Sequence, residues 1–328
     1  MLSASSRLRQ NVPRLLKRFV SGGPSHPAPA SAVWGNYTPL DPASAMAVYP
    51  EPLSVPDQIE RPAYVPDNFF THPIWEHTEP KEEEEGGPIK LGTDDEHRVR
   101  RAARTVADIL AEMEKHVRPG ITTEELDSIA HHLITSRWAY PSPLGYAHFP
   151  KSITTSVNNV IAHGIPDGRA LEPEDIINLD LTIYLDGFHG DTSATFLLPN
   201  TDKPGRELVA ATEEALDLAI RACRPGERFN VIGKTIEEFA KRHGFSVNEQ
   251  FCGHGIGKRF HQHPYIIHYR NTEYGTMKPG DCFTIEPALV QGSRSRGTLW
   301  DDGWTVSTEF EHQILITEDG ADVLTARS

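Results

Sequence analysis

INLDLTIYLDGFHGD, residues 177–191, reads as a strand, a tight turn and a second strand. Asp186-Gly187 is a strong signal for a two-residue hairpin loop, because such turns need positive φ at their central positions. With that loop Leu185 faces Phe188, Thr182 faces Asp191 and Asp180 faces Ser193. Side chains alternate along a strand, so residues 180 and 182 share a face. Asp191 then lies on the same face as Asp180 and diagonal to it, roughly 7–8 Å away at the backbone, close enough for the side chains to converge. On one strand an odd spacing would put the two acids on opposite faces; the turn brings them together. INLDLTIYL is too apolar for a free edge, so both acids are expected on a mostly buried sheet. There they repel unless one is protonated or a cation lies between them.

The strand belongs to a repeat. Residues 172–180 read EPEDIINLD and residues 278–286 read KPGDCFTIE, an offset of 106 that makes Asp180 and Glu286 equivalent. The same offset relates two helix stops, Arg118-Pro119-Gly120 and Arg224-Pro225-Gly226. Before the first stop, Val99, Ala103, Val106, Leu110, Met113 and Val117 recur at helical spacing, and Thr93 with Glu96 predicts a capping box. A second helix is expected from Thr122, with Glu125 three residues on, and a third over 206–223, followed by a fourth. Two similar α/β halves packed into one domain follow, strands inside and helices outside. HGI also recurs, at 163 and 254; with an offset of 91 it fits the repeat only if loop lengths differ between the halves.

Other residues extend the acid pair. Glu286 follows apolar residues in FTIEP, Glu311 sits in the apolar FEHQILIT, and His254 lies in the glycine-flanked GHGIG. Each alone is more often a core or surface residue. Together with Asp180 and Asp191 they form a set of four carboxylates and one imidazole. Such an oxygen-rich set suits hard or borderline divalent ions and can hold two of them.

Composition bounds the rest. The 328 residues, 38% hydrophobic, suffice for one large domain or two small ones. A net charge of −14 argues against nucleic acid as the main partner. No window is apolar for the eighteen or so residues that a membrane span needs. Three widely spaced cysteines, Cys223, Cys252 and Cys282, form no disulfide framework and no zinc pair. Residues 1–23 are rich in Arg and Ser, and the first acid in the chain is Asp41. This predicts a transit peptide and a mitochondrial address in the matrix; a plastid leader shares the composition, and a cytoplasmic location is the remaining alternative. Residues 24–88 hold thirteen of the 26 prolines and predict an extended segment. The catalytic domain is then expected over 89–328.

HGIPDGR, INLDLTIYLDGFHGDTS, CGHGIGKRFH, FTIEP, DGWTV and FEHQILIT, in that order, resemble the motif series of the type 1 methionine aminopeptidases, organellar members best. The resemblance implies the "pita-bread" fold, an α/β (α+β) domain of two pseudo-symmetric halves around a curved, mostly antiparallel sheet. It implies metal ligands Asp180, Asp191, His254, Glu286 and Glu311, holding two divalent ions (Co²⁺, Mn²⁺, Fe²⁺ or Zn²⁺). It implies catalytic roles for Glu286 as proton shuttle, His261 as the group that polarises the carbonyl, and His163 as a peptide-binding group. Tyr146, Phe149, Phe260 and Trp304 match positions around the methionine side chain, although a plain core role is an alternative for each. The substrate implied is the N-terminal Met of a peptide or protein whose second residue is small, cut by a monomer.

The chain also departs from that family. Pro143 and Thr154 stand where many members carry pocket cysteines, and Ala162 replaces a cysteine before His163. Only TVSTEF separates Trp304 from Glu311. The family's hairpin there is longer by roughly seven residues, and this stretch has no Gly, Pro or Asn on which to turn. Either the two strands merge into one or the sequence lacks a segment. Two other functions stay open on these grounds: an Xaa-Pro aminopeptidase of the same fold, and a catalytically impaired binding homologue.

Overall fold

The computed structural model describes residues 36–40, 50–81, 85–291 and 307–327. The expected leader and Trp304 lie outside them. The hairpin forms as its sequence requires: β3 (Ile176–Leu185) and β4 (Phe188–Leu197) pair antiparallel, with Leu185 opposite Phe188, Thr182 opposite Asp191 and Asp180 opposite Ser193. Asp186 and Gly187 take φ of 52° and 83°, the left-handed turn that Asp-Gly tolerates. The other edge of β3 is shared by β1 (Tyr140–Pro141) and β2 (Thr154–Val157).

The first half supplies two helices. α1 (Asp94–Met113) buries Val99, Ala103, Val106, Leu110 and Met113 against β3 and β4; Val117, the last residue of the expected stripe, lies beyond the helix, after a 3-10 turn over Glu114–His116. Gly190 makes that contact possible: a Cβ there would lie 2.5 Å from the Ala102 carbonyl carbon. α2 (Thr123–Thr135) starts with a complete capping box between Thr122 and Glu125. The box expected at Thr93 does not form. Thr93 Oγ1 turns back to the Lys90 carbonyl, and the Glu96 carboxylate takes the Gly92 N–H instead.

The second half repeats the plan. α3 (Lys203–Ala222) starts three residues earlier than its apolar pattern suggests, because Asp202 caps it by accepting from the Gly205 N–H at 3.0 Å. α4 (Asn230–Arg242) packs beside it. Two sheets lie beneath, both antiparallel. One has the order β10 (Ser307–Glu309), β9 (Ala288–Gln291), β5 (Phe245–Val247). The other runs β12 (Ala321–Val323), β11 (His312–Ile316), β8 (Cys282–Ile285), β6 (Gly253–Gly255), β7 (Gln262–Ile266).

The repeat holds at the level of single hydrogen bonds. The Gly120 N–H donates to Leu171 O at 2.8 Å, and the Gly226 N–H to Met277 O at 2.9 Å. The Asp175 carboxylate accepts from the Glu172 N–H at 2.8 Å, and the Asp281 carboxylate from the Lys278 N–H at 2.8 Å. Each pair is displaced by the same 106 residues, so the x-P-x-D motif is a turn that launches β3 in one half and β8 in the other. The HGI recurrence is not part of this repeat. His254 lies in β6, whereas His163 sits between strands on left-handed backbone (φ 56°).

Two residues connect β10 to β11, so these strands run on as one path through Glu311; the Trp304 side of the expected hairpin lies outside the described residues. An antiparallel bridge between Ser193 and Glu311 joins that path to β4 and links the two halves. Packing also begins before Ile89: Val55, Ile59, Tyr64, Val65 and Phe69 are buried against Tyr140, Leu144 and Phe260.

Candidate metal centre and peptide-binding cleft

The acids meet where the two halves join. Asp180 and Asp191 come from the β3–β4 hairpin, Glu286 follows β8, and Glu311 lies where the chain enters β11. His254 projects from β6, beside β8. Its Nε2 stands 3.7 Å from Asp191 Oδ2 and 3.6 Å from Glu286 Oε1. One donor atom each from Asp191, His254 and Glu311 lies within 4.8 Å of the others. The strand crossings fix this convergence, because the Glu311 N–H donates to Ser193 O and the Asp191 N–H to Gln313 Oε1.

Threonine hydroxyls orient the carboxylates. Thr182 donates to Asp191 at 2.6 Å, Thr284 to Glu286 at 2.7 Å and Thr154 to Asp180 at 3.3 Å. Thr154, which departs from the family's cysteine, thus supports a ligand.

A fifth acid, Glu309, is buried in the same place and escaped the sequence reading. Its backbone is held on the β3–β4 sheet, because Asn178 Nδ2 and Thr195 Oγ1 both donate to its carbonyl. The signal was its position two residues before Glu311, which gives it the same face once β10 and β11 are one strand.

Charge is the dominant problem in such a cluster. Burial raises Asp180 to about 6. Burial, then the Asp180 charge, raises Glu286 to about 8. Asp191 and Glu311 are pushed well above the carboxylate range, by burial first and then by the charge of Asp180 on Asp191 and of Asp191 on Glu311. Glu309 moves the same way, through burial and then Glu286. The single imidazole among them gives no relief, since burial lowers His254 to about 4 and keeps it neutral at pH 7. Buried like charges of this number call for cations. Hard oxygens with one neutral imidazole nitrogen are the donors that divalent ions of the Mn²⁺, Fe²⁺, Co²⁺ and Zn²⁺ series accept. The residues fit the metal that the sequence implies.

The cleft beside the acids is aromatic. The His261 ring lies 4.1 Å from both the His254 and Phe260 rings and 4.9 Å from Tyr146. Tyr146 and Phe260 are themselves 4.9 Å apart. His261 Nδ1 is buried and has no hydrogen-bond partner in the protein. His163 is exposed at the rim, edge-on to Phe251 at 5.2 Å. Phe149 is half-buried and closes the Gly145–Phe149 turn through its backbone. Behind Phe260 lies His189, stacked on it at 5.3 Å, with its Nδ1 2.8 Å from Ser142 Oγ. His189 and Ser142 were not singled out from the sequence, since an HGD triplet after a turn carries no mark of burial.

Comparison with known proteins agrees with this geometry. Residues 97–318 match metallopeptidase family M24. The mitochondrial methionine aminopeptidase 1D of Homo sapiens is 43% identical over 87% of this chain and 82% of its own length. The chloroplastic/mitochondrial methionine aminopeptidase 1D of Arabidopsis thaliana is 53% identical over 64% of this chain, a match that spans 61% of that relative. A crystal structure of methionine aminopeptidase from Rickettsia prowazekii superposes with a TM-score of 0.69 at 38% identity, covering 73% of this chain and 100% of that one. Prolidase from Pyrococcus furiosus shares the fold, with a TM-score of 0.60 at 19% identity over 74% of this chain and 66% of that chain. The chain therefore belongs to metallopeptidase family M24 and, within it, to the methionine aminopeptidases.

Proposed function

We propose that this enzyme removes the N-terminal methionine from peptides and proteins whose second residue is small, acting as a monomer in an organelle, in the mitochondrial matrix. The observation that carries the reading is the convergence of Asp180, Asp191, His254, Glu286 and Glu311 beside an aromatic cleft. A single chain supplies the whole set, which supports the monomer. The Arg-rich, acid-free leader and the mitochondrial and chloroplastic relatives support the address.

Those five residues would hold two divalent ions. The ions supply a Lewis-acid site and lower the pKa of bound water. The protein's own groups do the rest. Tyr146 and Phe260 enclose the methionine side chain, a flexible thioether that aromatic walls suit. Phe149, half-buried beside Tyr146, extends that wall. His261, with a ring nitrogen free of protein partners, faces the scissile carbonyl and stabilises negative charge developing on its oxygen. Glu286, held as a carboxylate beside the ions, takes a proton and passes it to the leaving nitrogen. His163 at the rim holds the peptide beyond the cut.

The test is release of methionine from Met-Ala-Ser and Met-Lys-Ser peptides with Co²⁺, Mn²⁺ or EDTA. The expected result is metal-dependent release from Met-Ala-Ser, strongly reduced from Met-Lys-Ser. No release with any metal, from protein that is folded by circular dichroism, refutes the proposal.

A further inference from the structure

The methionine pocket has a wall that lies outside the family match. That match spans residues 97–318, yet Tyr64 packs directly on two of the proposed pocket residues. Its ring meets Tyr146 edge-on at 5.0 Å and lies 6.4 Å from Phe260. It also stacks on His189 at 6.0 Å, the ring that backs Phe260. Its hydroxyl is buried and donates to the Ser142 carbonyl at 2.6 Å. Ser142 in turn meets His189 through its own hydroxyl. One side chain thus meets Tyr146, Phe260 and His189.

The stretch is held at its start and again beside Tyr64. His131 Nε2 donates to the Ser54 carbonyl at 3.0 Å, and the Lys81 N–H donates to Ala63 O at 3.0 Å. Val65 fills the space beside Gly145, where a Cβ would lie 2.9 Å from Val65 Cγ1. Gly145 immediately precedes Tyr146 and has φ of 88°, so the pocket loop is shaped to admit the segment. Val55, Ile59, Tyr64, Val65 and Phe69 form one small core with Tyr140, Leu144 and Phe260, separate from the main core.

We infer that residues 55–69 form a strap closing the outer side of the methionine pocket, and that Tyr64 is a positioning residue that sets its width. The inference rests on the assignment of Tyr146 and Phe260 to that pocket. An edge-to-face pair holds its rings at a fixed separation and angle. Removing the Tyr64 ring lets Tyr146 and Phe260 relax outward, which loosens their grip on an unbranched side chain. His254 meets Phe260 edge-on at 6.2 Å, one ring removed from Tyr64, so bound cobalt reports whether the ligands are disturbed.

The experiment compares the full chain with Tyr64→Ala, Tyr64→Phe and Tyr146→Ala, measuring kcat and KM on Met-Ala-Ser and Leu-Ala-Ser, with cobalt bound per chain as a control. For Tyr64→Ala, KM for Met-Ala-Ser should rise about fivefold, equivalent to ~1 kcal/mol. Its kcat and cobalt content should hold, and the preference for Met over Leu should narrow. Tyr64→Phe, which keeps the ring, should behave as the parent. If Tyr146→Ala raises KM and Tyr64→Ala does not, the strap is no part of the pocket and the inference falls while the pocket assignment stands. If Tyr146→Ala also leaves KM unchanged, the pocket assignment itself fails and takes the inference with it. Should Tyr64→Ala not fold, Tyr64→Leu retains the apolar bulk, and the same KM comparison decides.

Discussion

Metal should stabilise this protein more as pH rises, and the margin can be worked from the buried acids. Without metal, Glu286 has a pKa of about 8 against an ordinary value of 4.5. A carboxyl raised in the folded state gives stability that is fully present below the unfolded value and is lost as pH climbs through the folded one. Between those limits the metal-free native state holds one proton more than the unfolded chain. Its stability therefore falls by about 1.4 kcal/mol per pH unit for that proton. Metal ligation requires the carboxylates deprotonated, so the loaded state has no such slope at this site. His254, lowered to about 4, is neutral in the native state above pH 6 with or without metal, so the proton its unfolded-state imidazole binds enters both curves equally. Other buried histidines, such as His189 at about 3 and His268 at about 3, shift both curves equally and cancel in the difference.

The melting temperature of protein saturated with Mn²⁺, minus that of the same protein in EDTA, is the quantity to measure at pH 6, 7 and 8. In a fold of this size 1 kcal/mol moves the midpoint by roughly 2–4 °C. The gap should therefore widen by about 3–6 °C per pH unit, and by more where Asp191 or Glu311 also gives up a proton. A gap that stays constant or narrows from pH 6 to 8 would mean that the cluster carries no extra proton when empty, and the electrostatic reasoning would be wrong.

Two further perturbations separate the parts of the site. Glu309→Gln removes one of the crowded acids while keeping the backbone bonds from Asn178 and Thr195. It should raise the EDTA midpoint at pH 8 by about 3–6 °C, or ~1–2 kcal/mol, whereas Glu311→Gln should abolish metal-dependent methionine release; a lower midpoint for Glu309→Gln counts against crowding. Gly190→Ala would place a Cβ 2.5 Å from the Ala102 backbone and force α1 off β4. About 2–3 kcal/mol of lost stability in urea unfolding is expected, and a loss below 0.5 kcal/mol would show that the close approach is not needed.

Much of the centre was legible because the information is local. An Asp-Gly turn fixes the register of a hairpin, and register fixes which side chains share a face, so Asp180 and Asp191 could be brought together without coordinates. The 106-residue repeat then supplied Glu286, and the helical stripe of α1 marked the outer layer. Where the reading slipped, a competing contact decided. Thr93 had a second partner in Lys90, and HGI recurred in two unrelated elements.

The sequence alone therefore determined the hairpin, the repeat and the pairing of Asp180 with Asp191, since each follows from backbone periodicity over a few residues. Only the tertiary structure decided what lies beside them. The merged β10–β11 path put Glu309 among the acids. The packing of a proline-rich segment on Tyr146 and Phe260 gave the cleft its outer wall. Both are contacts between segments far apart in the chain, where no periodicity links one partner to the other; burial and charge, summed over the folded chain, chose them.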